Sequence, residues 1–255
     1  MFITVGGELV IRDFLFNAWG NKYGTGELDN QVPAKLAHKL NIPRAAVAMV
    51  LEGGAIESDG KGTGMTTASC LFNDSRNPGL DRQIIIDTVK AALGFERLLV
   101  LPGGDIEGDD TDGHIDNLVR FLSPDILAVS KATVKNPAYA VTEANWDAAA
   151  KLQTRTGRPY QRVPLPVPDP IPFQYPGDRF TPPRKALLPA SYANFVMANG
   201  SVFVPTFGQD NDDIACRRID EATGKGWRVV PIPSEWLIVG QGGLHCLTQH
   251  QPTAG

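Results

Sequence analysis

The chain repeats one order of predicted elements, hairpin, helix and strand, four times, and this repetition constrains its fold more than any other feature. The first round reads FITVGGELVI (2–11), DNQVPAKLAHKLN (29–41) and AAVAMVL (45–51). The last of these segments predicts a buried strand, as does RLLVL (97–101) at the end of the second round. A unit of this size cannot bury its own apolar face, so the units must share a core. After the fourth round, EWLIVGQGGLHCLTQ (235–249) predicts one more strand. The sequence therefore predicts an α/β fold.

Turn residues separate the predicted elements. Asn199-Gly200 is typical of a two-residue hairpin turn, and Gly94 predicts the C-cap of a helix over 80–94. Segment 164–183 differs, because it holds eight prolines in twenty residues. It predicts a long loop that either shapes substrate access or bridges two units.

Composition and charge exclude several classes of function. The 255 residues carry a net charge of -4 and no lysine or arginine cluster, which argues against a nucleic-acid partner. Apolar runs are too short to cross a bilayer, so we expect no membrane partner. Three cysteines do not form a disulfide framework, and a reducing, cytoplasmic location is the prediction.

A glycine pair recurs in LEGGAI (51–56), LPGGDI (101–106) and GQGGLH (240–245). Glycine permits sharp turns and close approach of other groups to the backbone. Each pair read alone is a turn signal. Their recurrence at matching positions equally supports turns that meet near a common axis, where a site would draw residues from several units.

Reactive side chains accompany these glycine turns. Glu52 precedes the first pair, His114 and Asp116 follow the second as H-x-D, and Cys246 follows the third. If 114–116 is extended, His114 and Asp116 project from the same face. The four residues form a candidate set of acid, base, substrate-binding anion and nucleophile.

The remaining cysteines, together with His38 and His245, are assigned no catalytic role. Cys70 and Cys216 lie in strand and helix patterns and are predicted to be buried small hydrophobes. His38 is predicted on a helix surface. His245 is expected to point away from Cys246 in a regular strand, so it is not counted as the base.

A metal site is the weaker interpretation of the same histidine, aspartate and cysteine. The sequence contains neither C-x-x-C nor H-E-x-x-H spacing. The acidic run 105–112 has Asp110 where a calcium loop requires glycine, which favours a solvated loop. We therefore predict no metal in the site.

Four ordered motifs resemble those of the agmatine deiminase and Porphyromonas-type peptidylarginine deiminase family: LEGGAIESDGKGT with the following TTASCLFNDSRNP, GDDTDGHIDNLVRFL, LPASYANFVMANGSVFVPTFG and GGLHCLTQHQP. The resemblance implies a five-bladed α/β propeller (pentein) of ββαβ units with the site on its axis. It also implies one catalytic domain over 1–255, with about four units and a closing strand.

The family's functional residues fall on the same positions. The resemblance implies that Cys246 is the nucleophile, His114 the proton carrier and Asp116 a guanidinium-binding carboxylate, with Glu52 from L-E-G-G as the remaining carboxylate. Asn194 in SYANF and Trp19 in FNAWGNKYG are further candidates for supporting and substrate-binding roles. Asn194 equally fits a plain hydrogen-bonding role at a strand end.

One family motif, arginine-aspartate-x-glycine-proline, has no match here, since Arg12-Asp13 lacks the glycine and proline. We expect from this an N-terminally truncated sequence, a propeller incomplete at its N-terminus and an exposed apolar flank that causes self-association.

The resemblance implies hydrolysis of agmatine, a small guanidinium substrate, to N-carbamoylputrescine and ammonia through a covalent cysteine intermediate, without cofactor. Such a reaction belongs to arginine and polyamine metabolism. The alternatives are a peptidylarginine deiminase that gives peptidyl-citrulline, a truncated inactive remnant, and a metal-binding module. The sequence leaves open whether the chain forms a homodimer.

Overall fold

The first unit forms a three-stranded sheet with helices along its crossover. The computed structural model describes residues 1–177 and 184–253. The elements of this unit are, in order, β1 (Phe2–Val5), β2 (Glu8–Leu15), α1 (Ala18–Asn21), α2 (Gly26–Asp29), α3 (Val32–Leu40) and β3 (Arg44–Val50). β1 pairs antiparallel with β2 through the Gly6-Gly7 turn, and β2 pairs parallel with β3. The return path through helices permits this parallel pairing.

Three further sheets repeat the same topology, with an antiparallel hairpin followed by a parallel strand. The second unit comprises β4 (Glu57–Ser58), β5 (Thr63–Thr67), α4 (Ala68–Leu71), α5 (Arg82–Leu93) and β6 (Arg97–Leu101). The third comprises β7 (Val119–Ser123), β8 (Ile126–Ser130), α6 (Tyr139–Ala149) and β9 (Gln161–Leu165). A separate hairpin, β10 (Ile171–Tyr175) and β11 (Arg184–Leu188), precedes the fourth unit. That unit comprises β12 (Val196–Ala198), β13 (Ser201–Thr206), α7 (Asn211–Thr223) and β14 (Arg228–Pro233). The predicted fourfold repeat is confirmed.

Local signals locate several boundaries correctly. Gly94 ends α5 in the left-handed conformation, and its N–H donates to the carbonyl of Lys90. Asn199 and Gly200 both have positive φ, at 51° and 73°, which gives the hairpin turn between β12 and β13. These turns follow from short-range chemistry.

Neighbouring units share hydrophobic clusters, as a repeat fold requires. Phe14 and Met49 of the first unit pack with Val89 of the second. Met65 of the second unit packs in the same cluster as Val119 of the third. The third and fourth units share the largest cluster, which contains Leu122, Val163, Phe195, Val204 and Ile219. Each sheet is therefore stabilised mainly against its neighbours in sequence.

The closing strands of the first two units are less buried than predicted. Along β3 only Met49 and Val50 are buried, while Arg44, Ala46 and Ala48 are exposed. In β6 only Leu101 is buried. Both strands lie at the edge of their sheet, so part of their surface has no covering element among the described residues.

Two other expectations are wrong in the structure. Within the Pro-rich segment 164–183, residues 171–175 form β10 and are not a loop; residues 178–183 lie outside the described part of the chain. Segment 235–249 forms a short 3-10 helix, Ile238–Gly240, followed by turns, and forms no strand. Gln241 has a φ of 68°, which interrupts any extended path there.

The helices of residues 1–177 and 184–253 include none that combines the length and the apolar character needed to cross a membrane.

Candidate active site

A cleft of about 1000 Å³ collects side chains from the first three units and from the C-terminal turns. Its walls include the predicted residues Trp19, Glu52, His114, Asp116 and Cys246. Asn194, the sixth predicted residue, is buried and hydrogen-bonded to Cys246. The structure thus brings together six residues that are up to 227 positions apart in sequence, counted from Trp19 to Cys246.

Asn194 holds the segment that carries the Cys246 thiol. Its Nδ2 lies 3.2 Å from Cys246 Sγ, and its Oδ1 accepts the backbone N–H of His245 at 2.7 Å. The same amide donates to Asn117 Oδ1 at 3.0 Å, which links the third unit to this turn. A Cβ at Gly243 would lie 2.4 Å from Asn194 Oδ1, so only glycine fits there. This explains one of the recurrent glycines.

Asp116 provides a buried anion beside the thiol. Its side chain is fully buried, and Oδ2 lies 3.6 Å from Cys246 Sγ and 2.9 Å from His245 Nδ1. Burial opposes its ionisation, but the hydrogen bond with His245 and the proximity of His114 and Arg120 outweigh burial and lower the pKa of Asp116. Oδ1, the other oxygen, is buried and accepts no hydrogen bond from the residues that the structure describes. One oxygen of this carboxylate therefore lacks a hydrogen-bond donor among the described residues.

The H-x-D segment converges by a different geometry from the one predicted. Ile115–Asn117 is a 3-10 helix that His114 precedes, so residues 114–116 are not an extended strand. His114 and Asp116 nevertheless face the same point, because both lie against Gly54. A Cβ at Gly54 would lie 2.6 Å from His114 Nδ1 and 2.9 Å from Asp116 Oδ2. The glycine pair of LEGGAI thus makes room for the two side chains.

His245 faces the same carboxylate as Cys246, contrary to the expectation that the two residues point apart. Both contact Asp116 Oδ2, at 2.9 Å from His245 Nδ1 and 3.6 Å from Cys246 Sγ. The alternation that the sequence predicted requires a strand, and the chain here is a series of turns. Sequence reasoning therefore missed His245 as a site residue.

Glu52 is bound from behind by an arginine that the sequence analysis did not identify. Arg76, in NDSRNP, donates from Nε to Glu52 Oε1 at 2.9 Å, and both side chains are buried. Arg76 also donates to the Thr111 carbonyl at 2.9 Å and to the Asp112 carboxylate. The segment NDSRNP belongs to a motif of the family that the sequence resembles, but no role was assigned to its arginine, and the burial of the guanidinium reveals that role.

Glu52 turns its second oxygen toward His114, with 3.7 Å between Oε2 and Nε2. Burial favours the neutral form of both groups. For Glu52, His114 and Arg76 outweigh burial and lower its pKa. For His114, the proximity of Cys70 and Glu52 outweighs burial and raises its pKa. The negative charge of Glu52 can therefore stabilise a protonated imidazole on His114.

Cys246 is exposed as a residue, while its sulfur is turned toward Asn194 and Asp116. Burial of the sulfur and the negative charge of Asp116 raise the pKa of the thiol. Cys246 is therefore a neutral thiol until a cation enters beside it.

The other two cysteines, Cys70 and Cys216, were both predicted to be buried. Cys70 is buried as expected, but its Sγ lies 3.6 Å from Glu52 Oε2, at the rear of the site. Cys216 on α7 is only half-buried. Among the described residues, Glu52, Cys70 and His114 form the group with metal-ligand spacing. His38 is exposed, as predicted.

Trp19 lines the cleft from a strained turn in FNAWGNKYG. It has a φ of 54°, and its ring packs edge-on against Phe16 at 5.0 Å and Tyr23 at 5.6 Å between centroids. Gly20 follows with a φ of 82°, and a Cβ there would lie 2.3 Å from Ser75 Oγ. Positive φ at a non-glycine residue is characteristic of sites where the backbone is held for function.

The chain belongs to the Porphyromonas-type peptidyl-arginine deiminase family, whose family model matches residues 1–252. Among its relatives, the agmatine deiminase of Medicago truncatula is 36% identical over 94% of this chain and 68% of its own length. The structure of the Enterococcus faecalis agmatine deiminase is 28% identical and superposes with a TM-score of 0.90, covering 98% of this chain and 72% of that one. The C. jejuni agmatine deiminase is 32% identical, with a TM-score of 0.82 over 98% of this chain and 70% of its own.

Proposed function

We propose that this chain is a guanidine-group deiminase that hydrolyses agmatine to N-carbamoylputrescine and ammonia. The observation that supports this is the free Oδ1 of Asp116, a buried and ionised carboxylate oxygen beside the Cys246 thiol. A guanidinium is a planar cation whose N–H groups form charge-assisted hydrogen bonds with such a carboxylate. Bound there, its carbon lies within reach of the sulfur.

Binding of the cation activates the nucleophile. Because Asp116 raises the pKa of Cys246, a guanidinium that neutralises Asp116 removes part of the cause. The thiol then releases its proton to solvent, and the thiolate attacks the guanidinium carbon of the bound substrate, giving a tetrahedral adduct. Asn194 keeps the sulfur in place during this step, with its Nδ2 3.2 Å from Sγ.

His114 carries the protons. It donates one to the departing nitrogen, and cleavage of that C–N bond releases ammonia and leaves a thiouronium-type adduct on Cys246. Water then attacks the same carbon and gives a proton to His114. The C–S bond breaks, and the ureido product leaves. Glu52, fixed by Arg76 at Oε1, faces His114 with its Oε2 and orients the imidazole throughout.

The names of the relatives favour agmatine as the substrate, and the name of the family makes an arginine residue of a peptide the alternative. The test incubates the protein with agmatine, free arginine and an arginine peptide and measures the ureido product and ammonia. We expect turnover of agmatine, its loss in Cys246→Ser, and turnover retained in the control Cys216→Ser. Equal turnover by Cys246→Ser and the unaltered protein would rule out the covalent route.

The four sheets are, in this proposal, blades of a five-bladed α/β propeller with the site on its axis. Two observations support it: the sheets share one topology, and the turns that follow their strands contribute Glu52, Asp116 and Asn194 to one cleft region. A crystal structure in which the sheets are not related by a common rotation axis would contradict this arrangement.

A further inference from the structure

A second cluster of reactive atoms lies behind the cleft. Glu52, Cys70 and His114 are all buried, and each offers one ligand atom within 4.8 Å of the other two. Oε2 of Glu52 lies 3.6 Å from Cys70 Sγ and 3.7 Å from His114 Nε2. His114 is only 4% exposed, yet Nε2 has no hydrogen-bond partner among the described residues. A proton shared with Glu52 is one way to satisfy this nitrogen, and a metal ion bound between it, the carboxylate and the thiol is another.

The spacing of these atoms fits the edges of a metal coordination shell. Zinc binds sulfur at about 2.3 Å and oxygen at about 2.1 Å in tetrahedral geometry, which places the two ligand atoms about 3.6 Å apart. The sulfur–oxygen separation here is 3.6 Å, and the nitrogen–oxygen separation of 3.7 Å is a few tenths of an ångström longer than the corresponding edge of about 3.4 Å. A thiol, an imidazole and a carboxylate together favour zinc over the harder magnesium and calcium ions.

We propose that Cys70, His114 and Glu52 form an inhibitory site for Zn²⁺. On binding, the Cys70 thiol and the protonated His114 each release one proton to solvent. The ion then bonds to Cys70 through the thiolate, to His114 through Nε2 and to Glu52 through Oε2, and water takes the fourth position. Arg76 holds Oε1 and leaves Oε2 available. The ion enters from the cleft, which Glu52 and His114 line.

Zinc at this site stops proton transfer, because an imidazole bound to the metal through Nε2 keeps its single proton on Nδ1 and cannot become the imidazolium that protonates the leaving nitrogen. The inhibitory effect rests on the proposed deiminase function, whereas the binding of zinc does not. Cys246 is a second thiol near the site, so the binding test removes it.

The binding test uses the full chain carrying Cys246→Ser. Equilibrium dialysis against Zn²⁺ measures the stoichiometry, and Co²⁺ reports a sulfur ligand through its thiolate-to-metal charge-transfer absorption. We expect one equivalent and a clear absorption band. Adding Cys70→Ala removes the band and weakens Zn²⁺ binding roughly tenfold or more. Cys216→Ala, a matched loss of a thiol elsewhere, leaves both unchanged.

Glu52→Gln in the same Cys246→Ser background is a second variant, which keeps the thiol but weakens Zn²⁺ binding roughly tenfold or more. Glu52→Gln becomes the deciding variant for the zinc site if circular dichroism shows that Cys70→Ala is unfolded. Failure of Cys246→Ser to bind zinc, or unchanged affinity in Glu52→Gln, overturns the proposal. In the unaltered protein, Zn²⁺ should abolish turnover, and a chelator that removes the ion should restore it. An inactive chain that still binds one zinc through Cys70 would refute the proposed function and leave this site supported.

Discussion

The Asp116 carboxylate should suppress the reactivity of the Cys246 thiol, and Asp116→Asn tests this directly. The substitution keeps the shape of the side chain and removes one negative charge that lies 3.6 Å from Sγ. The repulsion between this charge and a thiolate at that distance is about 1 kcal/mol at the dielectric constant of water and about 5 kcal/mol at an effective value of ~20. Asp116→Asn therefore lowers the pKa of Cys246.

The assay uses mass spectrometry to measure the rate at which iodoacetamide alkylates Cys246. The pH is varied from about 6 to 10, the range in which thiols ionise. The increase in thiolate is partly offset, since intrinsic nucleophilicity falls with pKa. Together these effects predict alkylation at neutral pH that is roughly threefold to a hundredfold faster in Asp116→Asn.

A matched control is Asp13→Asn, which removes a buried carboxylate that pairs with Arg44 on the first sheet. It should leave the alkylation of Cys246 unchanged. Agmatine should accelerate alkylation or protect the thiol in the unaltered protein, and should do neither in Asp116→Asn. Alkylation of Cys246 that is slower or equal in Asp116→Asn would refute the assigned electrostatics.

Three further outcomes follow from the geometry of the site. Arg76→Met leaves Glu52 as a buried, unpaired charge and should lower the free energy of unfolding in urea by about 3 kcal/mol; a loss under about 1 kcal/mol would contradict the buried ion pair. Gly54→Ala should reduce kcat roughly tenfold or more while the fold persists, because its Cβ would displace the imidazole; Gly226→Ala, where a Cβ meets nothing within 4 Å, is the control and should change nothing. Asn194→Ala should free the C-terminal turn and make it a site of early proteolysis, and equal protease resistance would show that other contacts hold it.

Local chemistry made much of the architecture readable from sequence. Hairpin turns and helix caps depend on a few adjacent residues, so Asn199-Gly200 and Gly94 were placed correctly. Because each unit leaves an apolar face unburied, repetition of the units predicted a shared core, and the clusters between neighbouring units confirm it.

Two kinds of prediction for apolar segments were wrong: β3 and β6 form as strands but are only partly buried, and 235–249 forms no strand. Periodicity indicates that a segment is apolar, but burial depends on whether another element covers it. β3 and β6 lie at sheet edges and remain partly exposed. In 235–249 the apolar residues suggested a strand, while the positive φ of Gln241 and the turns after it gave a different path.

The sequence by itself determined the fourfold unit, the family and the residue types gathered at the cleft. Only the tertiary structure decided how those residues are paired. It set Arg76 behind Glu52, Cys70 against the same carboxylate, and His245 on Asp116. These contacts join residues 18 to 129 positions apart, and their energies depend on burial and on distances of a few ångströms. Spacing along a chain encodes neither quantity, whereas the packing of the units fixes both.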